Sequence, residues 1–504
     1  MAAFPKEFVE IVRAVFGGRA QQVLDALEGG ESVTAVRANP AKISASDLRS
    51  RFASAAEDVP WRGDAFYLSE RPVFSLDPLL HAGAYYVQDP AARFVGSVAD
   101  AVISAENRPL RVLDLCAAPG GKSTCLAAAL SSDDLLVANE VIGSRAGILA
   151  ENLVKWGPFN SVVTNADPKN IGSAYLSFDI ILADVPCSGE GMFRKDAGAL
   201  AEWSPENVNL CAQRQRRIVA DVWDSLAEGG WLIYSTCTFN SSENDGNVEW
   251  ICRELGAEIV PVKGAPNSGG SLLAEELLSL TLATSLPQSA TSSLRDNYQL
   301  AGPSRYMTPR VETSSASNCR PAWGAMPTKY GLQFAPGITM GEGQYVAVMR
   351  KISPAKTSKQ GKASKPSKGV PCSWALPDMN CVEVETSAGR MLKAYPAALE
   401  SAIHQIEASL RTIRSGVAVA SVKSRDLVPQ ADLALSQAFN PGAFPQVALT
   451  RDQALQFLRC EALQLPDAPK GFLTVTFDNL PLGFVKNLGT RANNLFPQAW
   501  RLRM

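Results

Sequence analysis

Histidine is almost missing from this chain: 504 residues contain only His81 and His404. That argues against a histidine-based catalytic triad and against a zinc site built on imidazoles. A surplus of one charge is missing as well. The 48 Lys and Arg oppose 50 Asp and Glu, giving a formal net charge of -2. Composition therefore selects no partner class, and a basic groove on a near-neutral protein stays open. No apolar run is long enough to span a bilayer. The first residues, MAAFPKEFVEIVRAVF, contain acids and no small-residue cleavage pattern, so they read as an amphipathic helix rather than a signal peptide. The ten cysteines include no CxxC pair. Nothing marks the chain for secretion, so reduced thiols in the cytoplasm are expected. With histidine so scarce, cysteine is the leading candidate for a side-chain nucleophile.

What is present is a long β-α alternation. The chain length suggests two to four domains, and there are no internal repeats or heptads. Residues 1–100 combine a helical pattern (Phe8, Ile11, Val12, Val15, Phe16) with aromatic-rich loops. RVLDL (111–115), LLVANE (135–140), SVVTNAD (161–167), FDIILADVP (178–186) and WLIYSTC (231–237) read as five strands. Gly120 to Leu130 opens a helix after the first. Ser204-Pro205-Glu206 starts another, with Ser as cap and Pro at the first helical position, and Gly229-Gly230 is expected to stop it. This alternation predicts an α/β fold: a mostly parallel, Rossmann-like sheet with helices on both faces. GQYVAVMRK (343–351) returns the chain to that sheet. Before it, the Ser-, Thr-, Gly- and Pro-rich residues 264–320 read as an insertion. Residues 352–371, ISPAKTSKQGKASKPSKGVP, read as a basic linker. Residues 372–504 read as a further folded unit, with a capping box at Thr450-Arg-Asp-Gln453 before the helix Ala454–Arg459.

Ligands of open parallel sheets bind beyond the carboxyl ends of the strands, and the polar residues cluster there. The first strand runs into Cys116-Ala117-Ala118-Pro119-Gly120-Gly121-Lys122. Glycine allows close backbone approach, and the following helix offers free N–H groups. The loop has neither GxGxxG nor GxxxxGK[ST], so a compact charged nucleoside fits better than a pyrophosphate. Acids end the next three strands: Glu140, Asp167 and Asp184. Singly each reads as a solvated strand end; a carboxylate after the second strand can also accept from ribose hydroxyls. Cys187 follows the fourth strand and Cys237 the fifth. Each alone reads as a small buried hydrophobe, but neighbouring strands would bring both thiols into one cleft. Lys122 and Arg194 are candidate cations for stabilising a thiolate there.

The segments LDLCAAPGGK, DVPCSGEGMFRKD and YSTCTFNSSEND resemble the signature segments of the Sun family of RNA cytosine-5 methyltransferases. RANPAKIS (37–44), Phe66-Tyr-Leu and Tyr85-Tyr-Val-Gln-Asp-Pro90 resemble the N-terminal part of its RsmF-like bacterial branch. LPLGFVKNLGTRANNLFPQAWR resembles the end of that branch's PUA-like C-terminal domain. The resemblance implies an N-terminal α+β domain (1–100), a methyltransferase domain (101–351), the linker, and a PUA-like α+β RNA-binding region (372–504). It implies S-adenosylmethionine held by residues 116–122, with Glu140 on the ribose, Asp167 near the adenine and Asp184 touching cofactor or cytosine. It implies Cys237 as nucleophile and Cys187 as the residue that aids product release, with no metal. A proton on Asp184 is the expected donor to cytosine ring nitrogen 3. The implied product is 5-methylcytosine in small-subunit ribosomal RNA, made by a cytoplasmic monomer. A transfer-RNA substrate would use the same core, and a non-catalytic ribosome-assembly protein could keep the same pocket. Lys423, Arg425, Lys486, Arg491, Arg501 and Arg503 read either as phosphate contacts or as ordinary charged surface. One departure stands out: the family often has GEGH where this chain has Gly341-Glu-Gly-Gln344.

Overall fold

The computed structural model of the protein describes residues 4–61, 63–262, 324–354, 368–387, 389–424 and 426–503. The 264–320 segment, all but the ends of the basic linker, and Arg425 lie outside the described residues. Two helices open the chain, Lys6–Phe16 and Ala20–Gly29. The first buries Phe8, Val12 and Phe16, the i, i+4, i+8 stripe of its pattern. That stripe packs on Phe193 and Trp203, with ring centroids 4.9 and 5.7 Å from Phe8. The N-terminal helix thus covers the segment that follows Cys187. An antiparallel sheet comes next, in the order β2 (Ala55–Asp58), β3 (Ala65–Leu68), β1 (Thr34–Ala38), β4 (Tyr85–Val87).

The central sheet is built on β5 (Arg111–Asp114), β6 (Leu135–Asn139), β7 (Ser161–Thr164), β8 (Phe178–Asp184) and β9 (Leu226–Thr236). These pair in parallel in the order β9-β8-β5-β6-β7. Their apolar runs are buried on both faces. Val112, Leu136 and Ile180 join one core layer, while Leu113, Val137 and Ile181 join the other, as the two-residue strand period requires. Antiparallel strands extend the β9 edge: β10 (Ala257–Val260), β11 (Met326–Pro327), β12 (Leu332–Phe334) and β13 (Gln344–Lys351), with β13 beside β9. The switch in strand order falls between β5 and β8, where chain direction sends consecutive connections to opposite sides and opens a crevice.

One expectation needs correction. The helix beginning after Ser204 ends at Val222, not at the glycines; a short 3-10 turn follows and β9 already runs through Gly229-Gly230. Gly229 has φ +71°, and the β8–β9 register shifts between Phe178 and Ile180. The pair marks an irregularity inside a strand. The C-terminal residues carry two sheets of their own and lend one strand to the central sheet. They form one four-stranded sheet from β14 (Met379–Thr386), β15 (Gly389–Pro396), β17 (Val417–Lys423) and β18 (Asp426–Pro429). A second comprises β19 (Gln446–Ala448), β20 (Gly471–Phe477), β21 (Leu480–Asn487) and β22 (Ala492–Asn494). Between β15 and β17 of the first sheet, β16 (Thr412–Ser415) leaves to pair antiparallel with β7 of the central sheet. The Thr450–Gln453 capping box is formed, and its helix spans Arg451–Leu458. No described helix is long and apolar enough to cross a membrane.

Candidate active site

The site lies beyond the carboxyl ends of β5, β6, β8 and β9. After β5 the loop turns at Gly120, whose φ of +115° is left-handed territory that a side chain resists. The Gly121–Ala129 helix then begins. Neighbours hold the loop from outside: Arg145 donates to the Ala118 carbonyl at 2.9 Å and Asn152 to that of Pro119 at 2.8 Å. The N-terminal sheet holds it from the other side. Gln88 donates to the Gly121 carbonyl at 3.1 Å and accepts from Arg37 Nε at 2.8 Å, while Arg37 also reaches Thr124.

The RANPAKIS segment has a second task. Asn39 donates to the Trp156 carbonyl and Lys42 to that of Lys155, at 2.8 and 2.6 Å. These are end carbonyls of the Gly143–Trp156 helix, where cations and donors are favoured. Burial lowers the Lys42 ammonium to about 7.

A cavity of about 410 Å³ is lined by Cys116, Ala118, Glu140, Asp167, Asp184, Cys187 and Cys237, among others. It thus gathers residues of the expected loop, all three expected acids and both thiols. Glu140 is buried; its carboxylate accepts from the Ile142 amide at 2.9 Å and lies 3.5 Å from Arg145. Asp167 caps the Pro168–Ser173 helix by accepting from the Lys169 amide at 3.0 Å. Gly120, Gly121 and Lys122 are not themselves on the wall; they shape it.

The two thiols face each other with Sγ atoms 3.1 Å apart, and the Cys237 amide lies 3.3 Å from Cys187 Sγ. The hydrogen bond with Cys237, and then burial, push the Cys187 thiol well above its ordinary range. Below them a buried network fixes both loops. Glu243 accepts from the Ser188 amide at 3.0 Å and from Gln215 at 2.6 Å, and Gln215 donates to the Pro186 carbonyl. Burial raises Glu243 to about 7. Glycine lets the two cysteine loops and the GEGQ loop meet: a Cβ on Gly191 would sit 2.4 Å from Gly343 Cα. The Gly191 amide donates to the Cys237 carbonyl at 2.9 Å.

That meeting delivers Gln344. Its amide donates to the Thr236 carbonyl at 2.9 Å, contacts Ser235 Oγ, and lies 3.4 Å from Asp184 Oδ1. The other Asp184 oxygen accepts from Lys122 Nζ at 2.8 Å. Both Asp184 oxygens therefore face donors, one of them an ammonium. This geometry suits an Asp184 that is ion-paired to Lys122. Burial tends to lower the Lys122 ammonium, and the attraction of Asp184 outweighs it, leaving it raised. Of the two expected cations, only Lys122 reaches the site. Arg194 is turned away to Glu342, at 2.6 Å, and to the Gly341 carbonyl.

Several residues of the site were not singled out in the sequence. Gln215 carries no signal in a single chain, Gln344 drew notice only as the departure from GEGH, and Asp114 and Glu243 stand inside the quoted segments. Asp114 ends β5 as the other acids end their strands. It accepts from Ser123 at 2.7 Å, its Oδ1 is buried with no partner among the described residues, and burial raises it to about 7.

Comparison with known proteins agrees over most of the chain. Residues 4–90 match the N-terminal domain of 16S rRNA methyltransferase RsmF, 102–271 match 16S rRNA methyltransferase RsmB/F, and 444–502 match the methyltransferase RsmF PUA domain. A relative from Klebsiella pneumoniae, Ribosomal RNA small subunit methyltransferase F, is 30% identical over 478 residues, covering 92% of this chain and 89% of the relative. The chain belongs to this RsmF-like family. The Escherichia coli K12 member is 29% identical over the same shares. A methyltransferase homologue from Pyrococcus horikoshii shares the fold, with TM-score 0.50 and 23% identity over 69% of this chain and 96% of that one. Membership makes the chain an S-adenosylmethionine-dependent methyltransferase. The cavity fits that cofactor: Glu140 offers a buried carboxylate for ribose hydroxyls, the floor is acidic toward a sulfonium, and Asp114 holds an unpartnered buried oxygen behind the loop.

Proposed function

We propose that this protein methylates carbon 5 of a cytosine in 16S ribosomal RNA, with Cys237 as nucleophile and Cys187 as the group that releases the product. The observation that carries this reading is the 3.1 Å contact between two thiols at the ends of neighbouring strands, inside the cavity that also holds the strand-end acids. Carbon 5 of cytosine is a poor nucleophile. Attack by a thiolate on carbon 6 turns the ring into an enamine whose carbon 5 is reactive. When bound, S-adenosylmethionine supplies the electrophilic methyl group. Residues 116–122 would shape its cradle, with Cys116 and Ala118 on the cavity wall, Glu140 would hold its ribose and Asp167 would lie near its adenine.

The rest falls to the chain's own residues. Lys122 brings positive charge close to Cys237. Cys187 lies against the Cys237 sulfur at 3.1 Å, within reach for proton exchange. Asp184, as an ion-paired carboxylate, accepts from the cytosine amino group and so orients the ring. After methylation the carbon 6–sulfur bond breaks with its electron pair going to Cys237, which takes the proton of the Cys187 thiol. The Cys187 sulfur in turn accepts the carbon-5 proton, whose bonding pair restores the carbon 5–carbon 6 double bond. The base must leave its stack to reach this cleft, which is cheapest in an open RNA segment.

In this reading residues 1–100 and 372–504 bind RNA around the catalytic domain, and a monomer works in the cytoplasm. The relatives' printed substrate supports ribosomal over transfer RNA. The test is incubation of immature 30S particles, naked 16S RNA and transfer RNA with labelled cofactor, followed by digestion to nucleosides. Label in 5-methylcytosine from the 16S samples is expected. Label only in transfer RNA would move the substrate. Tight cofactor binding with no transfer to any RNA would favour a non-catalytic assembly protein.

A further inference from the structure

The cavity wall carries two arginines that the acids on its floor do not explain. Arg214 and Arg217 both line the cavity that holds Cys187 and Cys237, and both are exposed. They lie three residues apart on the Pro205–Val222 helix, hence on one face. The helix is not free to turn. Val208, Cys211, Ile218, Val219 and Val222 are buried beneath it, and Gln215 ties it to the Pro186 carbonyl and to Glu243. The intervening Arg216 is engaged elsewhere, donating to Asn247 at 2.7 Å and lying over the Trp250 ring. Arg214 makes no ion pair among the described residues. Among the described residues, Arg217 has only a long ion pair one turn away, to the half-buried Asp221 at 4.0 Å. Two guanidinium groups are thus presented, with little competition, at the mouth of an acid-floored pocket and beside the thiols.

We propose that Arg214 and Arg217 form a phosphate clamp that grips the RNA backbone flanking the flipped cytosine. The proposal rests on the functional reading above. A base that reaches Cys237 leaves its phosphodiesters at the cavity mouth, where guanidinium suits phosphate oxygens. The floor acids suit the cationic cofactor and repel phosphate, so the two charge signs divide the cavity between its two ligands. The clamp reads no sequence; it sets the depth and register of the nucleotide.

The test is steady-state methyl transfer to 30S particles by wild type, Arg214→Ala, Arg217→Ala, the double variant and the matching Lys variants, at several salt concentrations. Each Ala variant should raise KM for RNA about tenfold. Each should also flatten the dependence of log KM on log salt by about 0.7. Lys variants should keep the salt dependence. Arg253→Ala, an exposed arginine elsewhere paired with Glu254, should match wild type. Calorimetry with S-adenosylhomocysteine should give one affinity for all variants. Unchanged RNA KM and salt dependence would overturn the clamp. So would weakened S-adenosylhomocysteine binding with unchanged RNA KM, which would make the cofactor's own carboxylate the ligand. A wild type that methylates no RNA would sink the functional reading itself, and the clamp with it.

Discussion

Asp184 is the residue on which the chemistry turns, and two neighbours decide how it works. Lys122 fixes one oxygen and Gln344 the other. Gln344 also holds the Thr236 carbonyl next to Cys237, the proposed nucleophile, so it positions acid and thiol together. Gln344→Ala should lower kcat roughly tenfold to a hundredfold through misplacement alone, with S-adenosylhomocysteine affinity unchanged. Equal activity of the two proteins would remove Gln344 from the account. Asp114 makes a separate prediction. Burial raises it to about 7, above its unfolded value, so the folded state favours the protonated form. Its contribution to stability is full below about pH 4 and is lost as pH rises through 7. Melting temperatures of Asp114→Asn, read against wild type, should therefore show a gain that grows between pH 4 and 7. A constant offset would mean that Asp114 does not titrate there. The four strand-end positions Glu140, Asp167, Asp184 and Cys237 were legible because strand period and topology alone place them. Gln344 stood out only as a departure from GEGH, and its contacts were not legible: they exist because the Gly191–Gly343 approach folds its loop onto β9.

Among the elements, β5 to β9 were readable because each is an apolar run ending in a polar residue. β16 was not. Four residues, Thr412–Ser415, carry no period of their own, and their partner β7 is remote in sequence. What holds β16 is Arg414, nearly buried, which bonds Ser161 Oγ at 2.9 Å and the Pro158 carbonyl and pairs with Asp432 at 3.0 Å. Arg414→Met should cost about 3–5 kcal/mol, because Asp432 is left with an uncompensated charge in a largely buried place. Urea unfolding measures this, and a loss under 1 kcal/mol would show that β16 is held by its backbone alone. The glycine pair 229–230 misled for a related reason. Gly-Gly after a helix usually stops it, but here the 3-10 turn Trp223–Ser225 had already done so.

At the scale of the whole molecule, the parts share one site. The N-terminal sheet reaches the cofactor loop through Arg37 and Gln88, and the first helix packs on the segment after Cys187. Arg37→Met should therefore weaken S-adenosylhomocysteine binding several-fold, although Arg37 lies outside the catalytic sheet; unchanged affinity by calorimetry would confine the N-terminal part to RNA. The motifs disclosed the chemistry, but this coupling depends on contacts between segments far apart in the chain. The central claim concerns the two thiols, and one gel tests it most directly. Wild type, Cys237→Ala and Cys187→Ala are incubated with cofactor and labelled small-subunit RNA, then denatured and resolved. A covalent protein–RNA adduct should accumulate with Cys187→Ala, be scarce with wild type and be absent with Cys237→Ala. An adduct that persists in Cys237→Ala and vanishes in Cys187→Ala would contradict the account by reversing the roles of the two cysteines.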